Sequence, residues 1–312
     1  MNALSHHLQG YLELRHGLGF KLVDSEYLLQ KFVNFAQQQK AQFITTQLAL
    51  RWSTQSTACH PARLAVRYRS VRLFAQYLSG IDSRTEIPPL GLLAQRYQRV
   101  IPYLYSNIEV AHLIEAAEKL RGPTPLRAVT YSTLFGLLAV TGMRVGEAIR
   151  LERGDVDHDR QLLTVRESKN GQTRLIPIHP TTQAMLWRFE QLRNQVHPKP
   201  QSPCFFLSEE GKRLTHTTVR KWFLVISLRI GLRKPADRHG PRIHDLRHHF
   251  AISALLNWYR TKVDVETHLP ELSTFLGHRN IADTYWYLSA TPELLRLATL
   301  RLEQSKAGGP SL

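Results

Sequence analysis

Apolar residues in the first part of the chain recur at the three-to-four-residue spacing that buries one face of an α-helix. Capping residues and glycines divide this pattern into separate helices. We expect four of them: 5–22, a second that Asp24-Ser25 caps, a third that begins at Thr45, and a fourth from Pro61 to about Leu78. The pattern therefore predicts an all-helical N-terminal domain over residues 1–82.

Turn-forming residues follow this helical region. The segment 80–91 contains Pro88-Pro89 and several glycine and polar residues, which indicates a connection between domains. We therefore expect a linker over 83–105, a second domain over 106–304 and a disordered tail over 305–312.

The second domain mixes helical spacing with one short β-rich region. Ser106 and Glu109 form a capping-box pattern, and a strongly apolar helical stretch over 126–151 is interrupted at Thr141-Gly142. Two β-rich runs flank Asn170-Gly171, which predicts a hairpin whose second strand, containing Pro177, lies at a sheet edge. Further helices are expected over 181–196, 215–230, 244–258, 269–276 and 280–303. The predicted fold is mainly α with a small antiparallel β-sheet in the second domain, an α+β class.

The net charge of the chain indicates which class of partner it binds. The 312 residues carry a formal net charge of +16 with 43% hydrophobic residues, so a folded chain with affinity for polyanions is expected. The fourth predicted helix alternates apolar positions with four arginines, which either contact DNA phosphates or form a solvated face: Arg63, Arg67, Arg69 and Arg72.

Several classes of protein are disfavoured. Cys59 and Cys204 are the two cysteines, too few for a disulfide framework, and no Cys/His spacing typical of zinc occurs. No apolar run approaches the roughly 20 residues that cross a bilayer, and the N-terminus does not resemble a signal peptide. We expect a cytoplasmic protein without a metal.

Two arginines, two histidines and a tyrosine form the candidate chemistry. Arg144 and Arg247 are suited to the non-bridging oxygens of a phosphodiester, because a guanidinium is planar and always charged. His244 and His278 can donate hydrogen bonds or carry protons, and Tyr287 supplies a hydroxyl nucleophile.

Lys169 lies at the predicted hairpin tip, from which it can reach a departing 5′-oxygen as a general acid. Each of these residues also has a structural alternative: Arg144 can pair with Glu147, His244 with Arg247, His278 can cap a helix and Tyr287 can belong to the core. The joint occurrence of all of them in this order favours the catalytic interpretation.

This ordered set resembles the tyrosine recombinase, or phage integrase, family over about residues 106–290. Thr141-Gly-Met-Arg-Val-Gly-Glu147 is similar to the family's first arginine motif, with Glu147 as its supporting acidic residue. The segment 167–177 resembles the hairpin of the active-site lysine, and His244-Asp-Leu-Arg247 resembles the H-x-x-R box. Leu276-Gly-His278 resembles the L-G-H box.

The spacing in that family points to Tyr287 rather than Tyr285 as the nucleophile. Residues two apart on a helix point about 200° away from each other, so only one can face a phosphate. One departure from the family is a long interval between Arg247 and His278, where 259–270 is expected to be an inserted loop. His268 in this loop is not expected to be catalytic.

The resemblance implies a two-domain DNA clamp that cleaves and rejoins strands through a covalent 3′-phosphotyrosine, without metal or nucleotide cofactors. It also implies double-stranded DNA as partner and a tetramer, in which the C-terminal helix packs on a neighbour or, alternatively, folds back on its own domain. The opening segment 14–21 weakly resembles that of members borne by mobile elements, and a bacterial, nucleoid-associated location is expected. Two other functions stay open: a topoisomerase or hairpin resolvase of related chemistry, and a DNA-binding regulator without catalysis.

Overall fold

The computed structural model describes residues 3–55, 60–93, 102–166, 173–199, 202–237, 240–261, 263–289 and 291–307. The chain divides into two compact units, Met1–Val100 and Ile101–Leu312. The predicted domain limits and the DNA-binding role of the first domain stay predictions.

Four helices form the first unit: α1 (Ala3–Gly17), α2 (Val23–Gln38), α3 (Thr46–Thr54) and α4 (Pro61–Leu78). Thr45 caps α3 by accepting a hydrogen bond from the Leu48 amide at 3.1 Å, as predicted. The predicted cap of α2 is wrong, because this helix already begins at Val23, after Leu22 in a left-handed conformation. The helices enclose a core that includes Leu8, Phe32, Trp52 and Phe74.

The second unit has nine helices in its described residues. They are α5 (Asn107–Glu118), α6 (Leu126–Thr141), α7 (Val145–Arg150), α8 (Pro180–Val196), α9 (His216–Arg229), α10 (Asp245–Arg260), α11 (Val265–Leu276), α12 (Ala282–Tyr285) and α13 (Pro292–Ala307). Helix α6 is buried along almost its whole length and packs against α5, α8 and α10. The predicted interruption of the apolar stretch is confirmed, because α6 ends at Gly142 and α7 begins just after it.

A three-stranded antiparallel sheet lies beside these helices. Its strands are β1 (Val156–Asp157), β2 (Leu162–Val165) and β3 (Arg174–Pro177), in the order β1-β2-β3. The hairpin of β2 and β3 pairs Val165 with Arg174 and Leu162 with Pro177, so the predicted edge position of Pro177 is confirmed. The expected turn at Asn170-Gly171 lies outside the described residues, and β1 was not expected.

The C-terminal region differs from the prediction. The segment predicted as one helix over 280–303 consists of α12, a 3-10 turn (Trp286–Ser289) and α13. Thr291 caps the last helix through the Leu294 amide at 3.0 Å, and Pro292 occupies its first turn, so a new helix begins here.

The expected inserted loop over 259–270 is also a wrong prediction. Helix α10 runs to Arg260, and α11 begins at Val265 behind the cap Asp264, with Pro270 inside the helix. Helix α13 packs on α10 of its own chain, burying Leu294, which is the second of the two arrangements considered above. Within the described part of the chain, no helix combines the length and apolarity that a membrane span requires.

Candidate active site

A buried carboxylate organises two arginines at the start of α7. Arg144 occupies the N-cap of α7, and the Glu147 side chain, 1% exposed, accepts hydrogen bonds from the Arg144 amide at 3.0 Å and from its Nη1 at 2.8 Å. Arg174 of β3 donates to both Glu147 oxygens, at 3.2 and 2.8 Å. Burial alone would raise the pKa of Glu147, but the bonds from Arg174 and Arg144 lower it to about 2.

Backbone carbonyls at two helix ends hold the guanidinium groups in place. Arg247, buried in the first turn of α10, donates to the carbonyls of Gly142 at 2.8 Å and Leu276 at 2.7 Å. Arg144 donates to the Gly277 carbonyl at 3.1 Å. These carbonyls lie at the C-terminal ends of α6 and α11, which carry partial negative charge, so both helices orient cations toward one place.

Burial and the neighbouring Arg144 lower the pKa of Arg247 to about 10. The guanidinium nevertheless stays protonated at neutral pH. The site therefore keeps two fixed positive charges, Arg144 and Arg247, in partly or fully desolvated positions, where they interact strongly with an anion.

Two of the predicted histidines lie beside these arginines. His244 is exposed at the N-cap of α10, and His278 follows the left-handed Gly277 that ends α11. His278 is fixed by a 2.7 Å hydrogen bond between its Nδ1 and Thr284 Oγ1. Burial, and next the charge of Arg247, lower the pKa of His278 to about 4, so its ring is neutral at neutral pH.

The two candidate tyrosines differ sharply in position. Tyr287 lies in the 3-10 turn, is 2% exposed and stacks on His278 with ring centroids 6.1 Å apart, whereas Tyr285 is 48% exposed. The Tyr287 hydroxyl lies 3.1 Å from His248 Nδ1. Burial raises the pKa of the Tyr287 phenol, and Arg247 and Arg144 act against this rise.

Five predicted catalytic residues thus lie together in one chain: Arg144, His244, Arg247, His278 and Tyr287. Glu147 lies behind the arginines and forms the Arg144–Glu147 ion pair that was the structural alternative for Arg144, while its supporting role stays a prediction. Lys169 lies outside the described residues. Tyr287 is a core residue as well, which was the structural alternative for it.

Sequence reasoning missed two residues of this cluster. Arg174 was counted only as part of a β-rich run, and its pairing with Glu147 joins positions 27 residues apart. His248 was not selected, although it follows Arg247 directly and lies one helical turn after His244, with which its ring makes an edge contact at 5.2 Å. That one-turn spacing was the available signal.

The four arginines of α4 belong to the first unit and differ in their contacts and exposure. Arg67 donates to the Trp52 carbonyl at 2.6 Å and stacks over the Trp52 ring at 4.3 Å, so it has a structural role. Arg72 makes a 3.5 Å bond to Gln76, while Arg63 and Arg69 are exposed. A groove of about 410 Å³ between α2, α3 and α4 is lined by Lys31, Arg63 and Arg67, together with amide and aromatic side chains.

The cluster in the second unit has the properties of a phosphodiester site. It combines fixed cations, neutral histidines and a phenol, a set that can neutralise phosphate oxygens and offer a nucleophile. Among the described residues, no group of three or more His, Cys, Asp or Glu side chains could hold a metal ion.

Comparison with known proteins points the same way. Residues 104–293 match the model of the phage integrase family. The integrase/recombinase named y4rB of Sinorhizobium fredii is 44% identical over 308 residues, 97% of this chain and 98% of that protein. The tyrosine recombinase XerC of Herpetosiphon aurantiacus is 31% identical over 231 residues, 72% of this chain and 68% of that protein.

Solved structures show the same fold at low sequence identity. The Tn1549 transposon integrase in complex with transposon right end DNA has a TM-score of 0.67 at 15% identity, covering 95% of this chain and 99% of that one. A lambda integrase tetramer bound to a Holliday junction has a TM-score of 0.57 at 19% identity, covering 91% of this chain and 76% of that one.

Proposed function

The chain belongs to the phage integrase family, and on this premise we propose that it is a site-specific tyrosine recombinase that cuts and rejoins duplex DNA through Tyr287. The observation that carries the assignment of the nucleophile is the buried position of Tyr287, stacked on His278 inside one chain. Because both groups come from the same protomer, each active site would cleave in cis.

The residues around Tyr287 suit distinct parts of the transesterification. Arg144 and Arg247 would bind the non-bridging oxygens of the scissile phosphate and stabilise the charge of the transition state. His278 and His244 would hydrogen-bond that phosphate. The bond from His278 Nδ1 to Thr284 fixes the His278 ring and leaves its Nε2 for the phosphate. Lys169, in the connection between β2 and β3, would protonate the departing 5′-oxygen.

The covalent 3′-phosphotyrosine conserves the energy of the broken ester bond. Attack by a 5′-hydroxyl of the partner duplex then reverses the step and joins the strands. No nucleotide is needed to drive this exchange, because one phosphoester bond forms for each one that breaks. Such an enzyme acts where its DNA substrate is, and we propose that the protein is located in the bacterial nucleoid.

The first unit would contribute affinity for the duplex. Arg63 and Arg69 are exposed on α4, and Lys31 and Arg63 line the groove between α2, α3 and α4. Cations along such a surface would contact backbone phosphates and set the position of the protein without reading bases.

We further propose a tetramer on DNA. The lambda integrase relative is a tetramer bound to a Holliday junction, and α13 of this chain exposes Leu295 and Leu300 beside the buried Leu294. Exchange of α13 with a neighbour would bury these leucines, and it would require release of the exposed Arg260–Glu293 ion pair, which costs little.

Covalent trapping tests the nucleophile. The substrate is a DNA duplex from the sequences that flank the gene, with a nick near the cleavage point. Cleavage releases a short strand that diffuses away, so rejoining cannot occur and the protein stays linked to the 3′-phosphate. Wild-type protein should form this complex and Y287F should form none, because phenylalanine has no hydroxyl; denaturing gel electrophoresis measures the product.

Y285F is the matched control, since Tyr285 is exposed and two residues away. It should form the complex at the wild-type rate. A complex formed by Y287F, or lost in Y285F, would show that the nucleophile is assigned wrongly.

A further inference from the structure

His248 contacts the proposed nucleophile Tyr287, and none of the roles assigned above uses this contact. It lies on α10, and its ring packs between Trp286 and Tyr287, with centroid distances of 5.6 and 5.5 Å. Its Nδ1 lies 3.1 Å from the Tyr287 hydroxyl oxygen, well within hydrogen-bond distance. Tyr287 is almost completely buried, so bulk water does not replace this contact.

The tautomer of His248 decides the direction of the hydrogen bond. With the ring proton on Nε2, Nδ1 accepts a hydrogen bond from the Tyr287 hydroxyl. The nearby charge of Arg247 favours the phenolate form of Tyr287 and so helps the phenol to give up its proton. Burial, and next the adjacent His244, lower the pKa of His248 to about 4, so its ring is neutral and has one nitrogen that accepts.

The reaction needs such an acceptor. A phenol with an ordinary pKa near 10 is protonated at neutral pH, and burial raises the pKa of Tyr287 further. Attack on phosphorus must therefore move this proton away. His278 is a poor alternative, because it presents its ring face to Tyr287 and its Nδ1 is bonded to Thr284.

We propose that His248 is a catalytic residue that accepts the Tyr287 phenol proton as the nucleophile attacks. This inference rests on the proposed function. The proton moves from Oη to Nδ1, the Oη–P bond forms and the P–O5′ bond breaks, with O5′ protonated by the general acid. In rejoining, His248 returns the proton to Oη. The scissile phosphate beside Arg144 and Arg247 offsets their charge and makes the imidazolium easier to form.

Single-turnover cleavage of the nicked duplex tests the role. H248N keeps a short polar side chain near the phenol but cannot take up a proton, so its rate of covalent complex formation should fall about 100-fold, within the usual range for a lost general base. H249N is the matched control, because His249 is adjacent, is partly buried and bonds the Tyr105 carbonyl at 2.8 Å instead of Tyr287. It should cleave at the wild-type rate.

A substrate with sulfur in place of the bridging 5′-oxygen separates a base from an acid. The thiolate leaves without a proton, so the defect of a general-acid variant is repaired on this DNA. The defect of H248N should persist. Recovery on the sulfur substrate, or wild-type rates on ordinary DNA, would overturn the proposal.

Thermal unfolding and DNA binding of each variant identify a folding defect. If H248N does not fold, H248A with added imidazole takes its place, and restoration of the rate by imidazole supports the role whereas a folded, unrescued variant overturns it. Absence of any complex with wild-type protein would instead contradict the proposed function, so the two failures are distinguishable.

Discussion

At the scale of single residues, the site depends on one carboxylate that never touches substrate. Glu147 holds both Arg144 and Arg174 through four side-chain and backbone hydrogen bonds, from a position that solvent barely reaches. Removing one partner from such a buried network leaves unmatched charges, which is more costly than the loss of an exposed pair. Glu147 therefore links the stability of the domain to the placement of a catalytic arginine.

E147Q should lower the free energy of unfolding at pH 7 by about 3 kcal/mol, the value that corresponds to a shift of the pKa from 4.5 to about 2. The depressed pKa means that this stabilisation is complete above about pH 4.5 and is lost as the pH falls toward 2. Urea unfolding of both proteins between pH 7 and pH 3 measures it, and the difference between them should shrink below about pH 4.5.

E115Q serves as the comparison, because Glu115 forms an exposed i,i+4 pair with Lys119. Its stability should match wild type at each pH. A difference between E147Q and wild type that stays constant down to pH 3 would contradict the ionic origin of the effect.

The sequence identified most of the site because its residues occur in short motifs. Arg144 with Glu147, and His244 with Arg247, are each three residues apart, so their proximity follows from helix geometry. Arg174 could not be found this way, since its contact with Glu147 joins β3 to α7 across the tertiary fold. His248 was accessible by spacing but lacked a visible partner until the 3-10 turn placed Tyr287 against it.

At the scale of elements, two left-handed glycines end the helices that orient the arginines. Gly142 ends α6 with φ 59° and Gly277 ends α11 with φ 68°. A Cβ on Gly277 would lie 2.8 Å from Arg174 Nη1, and one on Gly142 would lie 2.6 Å from Phe250 Cδ1. Glycine is therefore required here for space as well as for backbone conformation.

G277A should lose strand cleavage and more stability than G231A. Gly231, after α9, has a similar φ of 72° but open space where a Cβ would lie, so alanine there should cost only the backbone strain, about 1 kcal/mol, with normal cleavage. At Gly277 the methyl group also displaces Arg174 and shifts the carbonyl that Arg144 binds. Thermal unfolding and covalent trapping of the two variants measure the difference, and equal behaviour would contradict it.

The predicted elements were accurate where one helical face is apolar and less so elsewhere. Strand β1 has two residues and pairs through only Val156 and Asp157, too short for a periodic signal. The start of α11 was placed too late because the long interval between Arg247 and His278 suggested an inserted loop. Pro270 is the sixth residue of this helix, and its missing N–H removes one bond of the helix without ending it. The 3-10 turn at Trp286–Ser289 continues the spacing of a helix and so was read as one.

At the scale of the whole molecule, the +16 charge sets the general attraction to DNA. Charged groups spread along the chain give affinity that counterion release makes salt-dependent. The arginines of α4 differ in how available they are to DNA. Arg67 is bound to Trp52, whereas Arg63 and Arg69 face solvent.

R63A and R69A should each weaken binding equally on specific and unrelated duplexes, and each should reduce the slope of log K against log salt by about 0.9. Fluorescence anisotropy over a range of salt concentrations measures this slope. R67A should instead lower the thermal stability of the protein, because its stacking on Trp52 is lost. An unchanged slope in R63A and R69A would exclude phosphate contacts there.

The hydrogen bonds of Arg247 join distant parts of the chain. Its guanidinium donates to the carbonyl of Gly142, 105 residues upstream, and to that of Leu276, 29 residues downstream, and Tyr287 follows later still. A fragment that ends before Leu276 therefore lacks both one of the carbonyls that hold Arg247 and the tyrosine itself. We expect such a fragment to leave DNA uncut.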